Sequence, residues 1–151
     1  MLEIGSPAPD VVLEDTDGLA VRLPEPQGAV LVYLMRSASC PVCGRHVRDL
    51  VRRRNEFAAA GVRVLVAVPE DRDTAAAWKA GRGIPFPVLA GGAAHEVMGL
   101  GRKAFGSLRR SGSVLIDARG VVRHAHGATL PTAAYDRKGI EAAVRSLGGP
   151  G

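Results

Sequence analysis

Cysteine is nearly absent from this chain: 151 residues hold two, Cys40 and Cys43. A single pair excludes the disulfide framework that staples small secreted folds. Aromatic residues are almost as scarce, at 4%, which leaves few platforms for stacking nucleic-acid bases. Lysine is rare too, since 17 of the 20 basic residues are arginine. Long apolar runs are missing. The longest, Ala29 to Met35 and Val64 to Pro69, are strand-sized and far short of the ~20 residues that cross a bilayer as a helix. The opening Met1-Leu2-Glu3-Ile4-Gly5-Ser6-Pro7 has neither a basic start nor an apolar signal core, so a cytoplasmic location and no membrane partner are expected. Internal repeats and low-complexity stretches are absent as well.

What remains is the composition of a soluble globular protein, 46% apolar and 23% charged. The length suits one core, expected over residues 1–147, with Gly148-Gly149-Pro150-Gly151 as a flexible tail. The formal charge is +5, and five arginines fall between Arg45 and Arg54. Such a cluster is either an anionic-partner patch or the solvated face of an amphipathic helix. The shortage of aromatics argues against nucleic acid.

Hydrophobic periodicity outlines the elements. Val11-Val12-Leu13 and Leu19 to Leu23 flank Asp15-Thr16-Asp17-Gly18, a hairpin signal. Ala29 to Met35 reads as a strand buried on both faces. Val47, Leu50, Val51, Phe57 and Ala58 then recur at helical spacing, with Arg45, Arg48, Arg52 and Glu56 opposite. That pattern predicts one amphipathic helix over about 41–60, capped by Ser39, tolerant of Pro41 in its first turn and closed by Gly61. A strand over 62–68, a helix over 71–81 and a short strand over 86–89 follow. Residues 91–106 read as irregular, with helical turns near His95 to Met98 and Arg102 to Phe105. A second hairpin over 113–126 turns at Ala118-Arg119-Gly120, shaped by Asp117, and a helix over 136–147 ends the chain. The order predicts an α/β fold whose mixed sheet is covered by helices on both faces.

Within that frame Cys40 and Cys43 sit at a strand-to-helix junction, at the carboxyl end of the first central strand. There the first sulfur meets free backbone N–H groups and the positive end of the helix, which favour a thiolate. The second, a turn further on, suits the role of resolving thiol. Two inert core cysteines, or a zinc site of Cys40, Cys43 and His46 with His95, His124 or His126, are the competing readings. Trp78 reads as partly buried against the sheet, and His124 and His126 as strand-end surface residues.

Four stretches carry a resemblance. They are Ile4-Gly5-Ser6-Pro7-Ala8-Pro9-Asp10, and Leu13-Glu14-Asp15-Thr16-Asp17-Gly18 with Val21 and Leu23. The others are Leu31-Val32-Tyr33-Leu34-Met35-Arg36-Ser37-Ala38-Ser39-Cys40-Pro41-Val42-Cys43 and Val114-Leu115-Ile116-Asp117-Ala118-Arg119-Gly120. In this order they resemble the peroxiredoxin-like alkyl hydroperoxide reductase and thiol-specific antioxidant family, of thioredoxin fold, over Ile4 to Leu147. The resemblance implies that Cys40 attacks a peroxide and becomes a sulfenic acid, and that Cys43 condenses with it to a disulfide. It places Ser37 where the family orients thiolate and peroxide. Arg36 is either an added positive charge at the site or a surface arginine. The chain departs from the family pattern at Tyr33, where a proline is usual, and at Ser111, where an arginine is usual; Arg110, one residue upstream, is the candidate replacement. Thioredoxin-like reductases carry a cis-proline at the position of Ser111.

The implied activity is a thiol-dependent peroxidase acting on hydrogen peroxide or small hydroperoxides, with no cofactor and with a thioredoxin-like or small-thiol reductant. A protein disulfide reductase and a non-catalytic redox sensor or interaction module are the alternatives. Related proteins pair through sheet edges or helix faces, so a homodimer stays open.

Overall fold

The continuous apolar runs of the sequence become the middle of a five-stranded sheet. A computed structural model of the chain describes residues 2–24, 28–100, 111–128 and 135–147. Strands β1 (Val11–Glu14) and β2 (Ala20–Leu23) form an antiparallel hairpin. Strand β3 (Ala29–Leu34) leads to helices α1 (Pro41–Arg52) and α2 (Arg54–Ala59). Then come β4 (Val62–Ala67), α3 (Arg72–Arg82), β5 (Val88–Leu89), α4 (Ala93–Val97), β6 (Ser111–Ile116), β7 (Val122–Ala128) and α5 (Arg137–Leu147). The sheet order is β5-β4-β3-β6-β7, with β3, β4 and β5 parallel and β6 and β7 antiparallel. This is the mixed sheet of a thioredoxin-like α/β fold. The expected turns Arg102 to Phe105 and the tail 148–151 lie outside the described residues.

β3 is central and wholly buried, so its side chains supply both cores. Leu31, Tyr33 and Met35 face α1 and α5 together with Cys43, Val47, Leu50 and Ile140. Val30, Val32 and Leu34 face the hairpin and α4, beside Leu13, Val21, Ala94 and Met98. Each fully buried Leu or Val there contributes about 1.5–3 kcal/mol. Helices therefore cover both faces, as the sequence predicts. Trp78 packs half-buried against the first core. Among the described residues no helix is long and apolar enough to cross a membrane.

Turn chemistry follows the local sequence. Asp15 Oδ1 accepts from the N–H groups of Asp17 and Leu19, and Asp117 Oδ1 does the same for Arg119 and Val121. Each is an Asx-type turn closed by a glycine in the left-handed region, Gly18 or Gly120.

Three expectations need correction. The predicted helix over 41–60 is two helices, broken at Arg53, whose backbone leaves helical geometry at φ −100°, ψ 13°. The Arg53 side chain turns inward to Asp49, Glu56 and Glu141 and lies over the Phe57 ring, so the buried arginine is not one of those assigned to the solvated face. The cap of α1 is Cys40, not Ser39. And His124 is buried, its Nε2 3.1 Å from Ser113 Oγ, because α5 packs over that end of β7.

Candidate active site

The loop 35–40 leaves the carboxyl end of β3 and is held from three other elements. Met35 N–H donates to the Ala67 carbonyl at 2.9 Å, and His95 Nε2 donates to the Met35 carbonyl at 2.7 Å. Ala38 N–H donates to both carboxylate oxygens of Glu70, at 3.0 and 3.1 Å. Held in this way, Cys40 takes an extended backbone (φ −69°, ψ 113°) and becomes the N-cap of α1, with Pro41 in the first turn. Its Sγ accepts the N–H of Cys43 at 3.3 Å. A negative charge developing on that sulfur faces the positive end of a 12-residue helix.

Both cysteines are thiols, Cys40 half-buried and Cys43 fully buried. The Cys43 N–H donates to Cys40 Sγ, and Cys40 packs against the core cluster that holds Cys43. Burial, with the Cys40 thiol adding to it, pushes the Cys43 thiol up to about 11; the Arg36 backbone N–H and the Tyr33 hydroxyl act in the opposite direction. The outer thiol is thus reachable and the inner one is a protonated reserve behind it.

Behind Cys43 lies a polar cluster in an otherwise apolar layer. The fully buried Tyr33 shares the core cluster of Cys43 and sets its hydroxyl 2.7 Å from His46 Nδ1. Burial, with the neighbouring thiols adding to it, raises the Tyr33 phenol well above its usual range, so it carries its proton. Burial and the Arg45 charge lower His46, against the opposing pull of Asp49, so its imidazole is neutral near pH 7. Tyr135 stacks on His46 at 4.9 Å and meets the Tyr33 ring edge-on at 6.0 Å, and its hydroxyl donates to Asp49 Oδ2 at 2.6 Å.

Of the five residues singled out by sequence, Cys40 and Cys43 come together. The Ser37 Oγ lies 3.2 Å from Ser39 Oγ, and either hydroxyl can be the donor. Arg36 reaches Cys43 through its backbone, with its side chain partly exposed. Arg110 lies outside the described residues. Ser111 is fully buried at the start of β6, one residue beyond the Gly112–Leu34 pair, and its Oγ has no hydrogen-bond partner among the described residues. The zinc reading loses its ligands. His95 serves the Met35 carbonyl and His124 lies against Ser113, and among the described residues no three His, Cys, Asp or Glu side chains converge to hold a metal.

Tyr33, His46 and Glu70 are the contributors that sequence reasoning missed. Tyr33 did carry a signal: a phenol inside an all-apolar strand needs a buried partner, and His46 lies one helical turn from Cys43. Glu70 and Tyr135 carry none, since their contacts span 32 and 86 residues of sequence.

A sheet of this order, with two cysteines in the first turn of the helix after its central strand, is a thioredoxin-like arrangement. A model of the AhpC/TSA family matches residues 4–125, and the chain belongs to that family. Peroxiredoxin Q of rice chloroplasts (Oryza sativa subsp. japonica) is 28% identical over 123 residues, covering 80% of this chain and 57% of that protein. A Mycobacterium tuberculosis relative is 33% identical over 86 residues, 56% of this chain and 55% of its own length. The chain thus spans little more than half the length of the curated relatives it matches. Among solved structures, peroxidoxin BcpB from Mycobacterium tuberculosis superposes with a TM-score of 0.80 at 19% identity, over 97% of both chains. A thiol peroxidase from Chromobacterium violaceum gives 0.81 at 16%, over 97% of this chain and 88% of its own. These two likenesses carry the fold.

Proposed function

We propose that this chain is a thiol-dependent peroxidase in which Cys40 attacks and Cys43 resolves. The observation that carries the reading is the unequal pair: a reachable sulfur at a helix N-cap, bonded to the backbone N–H of a residue whose own thiol is buried and keeps its proton up to about pH 11. The Cys40 thiolate attacks a peroxide oxygen. The S–O bond forms as the O–O bond breaks, and water or an alcohol leaves. The Cys43 sulfur then displaces the sulfenic oxygen as water, giving the Cys40–Cys43 disulfide. Two thiol equivalents from a thioredoxin-like or small-thiol donor return it to the dithiol by exchange at Cys40, the exposed sulfur. Such a cycle suits a reducing compartment, here the cytoplasm.

Protein disulfide reduction is the second reading. It is favoured by the Ser37 hydroxyl pairing with Ser39 Oγ, which competes with peroxide for that orienting group. One experiment separates the two. With hydrogen peroxide and a dithiol donor, the wild type turns over; Cys40→Ser loses at least about a hundredfold. Cys43→Ser consumes one equivalent and stops as a sulfenic acid. A wild type that spares peroxide but reduces insulin disulfides overturns the peroxidase reading in favour of the reductase.

A further inference from the structure

The Cys43 sulfur must lose a proton to close the disulfide, yet it is fully buried and has no water-facing route of its own. The side chains behind it supply one. Tyr33 and Cys43 are buried in the same core cluster, the Tyr33 hydroxyl acts on the Cys43 thiol, and that hydroxyl lies 2.7 Å from His46 Nδ1. His46 is half-buried, so the far end of the chain of contacts reaches solvent. Its ring is fixed by stacking on Tyr135, which Asp49 anchors in turn.

We propose that Tyr33 and His46 form a proton relay that draws the proton from Cys43 as its sulfur closes on Cys40. The inference rests on the dithiol reading above and deepens it. As the Cys43 sulfur attacks the Cys40 sulfenic acid, the S–S bond forms and the S–O bond breaks. The Cys43 proton passes to Tyr33 Oη while the Tyr33 proton passes to His46 Nδ1. The leaving hydroxide takes a proton from solvent and departs as water, and His46 releases its extra proton to solvent. The balance is one sulfenic acid and one thiol giving one disulfide and one water. In this relay Tyr33 receives the Cys43 proton; His46 acts through Tyr33 and is a positioning residue.

The relay fits the resting charges. Tyr33 faces Cys43, Cys40, Tyr135 and His46; His46 faces Arg45, Asp49, Tyr33 and Tyr135; Asp49 is paired in turn with Arg53 and Arg137. A protonated phenol and a neutral imidazole, set donor to acceptor, are the arrangement from which such a transfer starts.

The test follows disulfide closure in the full chain by rapid mixing, acid quench and mass measurement. Wild type, Tyr33→Phe and His46→Asn are compared from pH 5 to 10. Asn can accept the Tyr33 hydrogen bond but cannot take up the proton. Both variants are expected to close about tenfold to a hundredfold more slowly than wild type, relative to Cys40 oxidation in the same mixing experiment. The wild-type closure rate should rise at a pH below 6.5, as His46 loses its proton, and then level off. The variants should lack that step and climb toward the Cys43 value of about 11. Closure at the wild-type rate with an unchanged pH profile in both variants overturns the relay, as does restoration of the wild-type rate by His46→Asn. The comparison is repeated with oxidised glutathione, which forms a mixed disulfide on Cys40. Cys43 then closes the ring and glutathione leaves as the thiol. If peroxide fails to oxidise Cys40, the peroxidase reading falls, while this second arm still decides whether Tyr33 and His46 assist closure.

Discussion

Glu70 fixes the backbone beside a thiol it does not bond. Its two oxygens hold the Ala38 N–H, two residues before Cys40, so the loop that carries the capping sulfur is tied to a carboxylate from the segment after β4. Hydrogen bonds to a charged acceptor contribute about 1.5–3 kcal/mol. Glu70→Ala is therefore expected to lower stability by about 2 kcal/mol and to slow alkylation of Cys40 by iodoacetamide several-fold, read by denaturant titration and by timed mass measurement. Unchanged alkylation would show that the loop holds its shape without Glu70. At this scale the sequence displays chemistry but not distance. Cys40 and Cys43 stand out because thiols three apart at a strand-to-helix junction have little else to do. Ser37 stands out as well, yet its hydroxyl is taken by Ser39, a neighbour whose rotamer no residue pattern encodes. Tyr33 was visible only as a missing proline, and its role emerges once α1 lays His46 beside it.

Elements were the most legible level, because burial leaves a period. The all-apolar β3, the Asp–Gly turns and the amphipathic α1 and α5 each announce themselves locally. The break at Arg53 does not. Its causes, Glu141 on α5 and the inward turn of a long charged side chain, lie outside any local window. Arg53 ties α1, α2 and α5 together through Asp49 at 3.8 Å, Glu56 at 3.3 Å and Glu141 at 3.1 Å, with only a tenth of its side chain exposed. Removing one partner of a buried charge cluster leaves the others uncompensated. Arg53→Ala is expected to cost about 3 kcal/mol, measured by urea unfolding, with α5 gaining amide exchange before the sheet does. A loss below about 0.5 kcal/mol would place this cluster with exposed surface pairs instead.

Across the whole molecule, the titrating groups bracket a stability maximum. Burial lowers His46 and His124, so their contribution is present above their ordinary value of 6.5 and is lost as pH falls. Burial raises Cys43 from 9.0 to about 11, so its contribution is present below pH 9 and is lost as pH rises through about 11. The raised Tyr33 and Tyr135 phenols act in the same direction from pH 10 upward. Urea midpoints should therefore be flat between about pH 7 and 9 and fall on both sides. The Cys43 share of the alkaline loss is about 2–3 kcal/mol, and Cys43→Ala should remove that share together with the thiol's part in raising Tyr33. An alkaline limb of the same depth in Cys43→Ala would assign the loss to the tyrosines.

The unequal exposure of Cys40 and Cys43 also makes the site single-file. Oxidant, reductant and any alkylating agent must all meet the chain at one sulfur, because the other is walled off by α1 and the sheet. Incoming molecules therefore compete for the same opening rather than queueing at separate ones, and in the proposed cycle a second peroxide that arrives before Cys43 closes would find a sulfenic acid instead of a thiolate. On that proposal, the rate of inner closure, set among buried side chains, would decide how much peroxide the outer sulfur can meet before it is driven to a state that thiols no longer reverse.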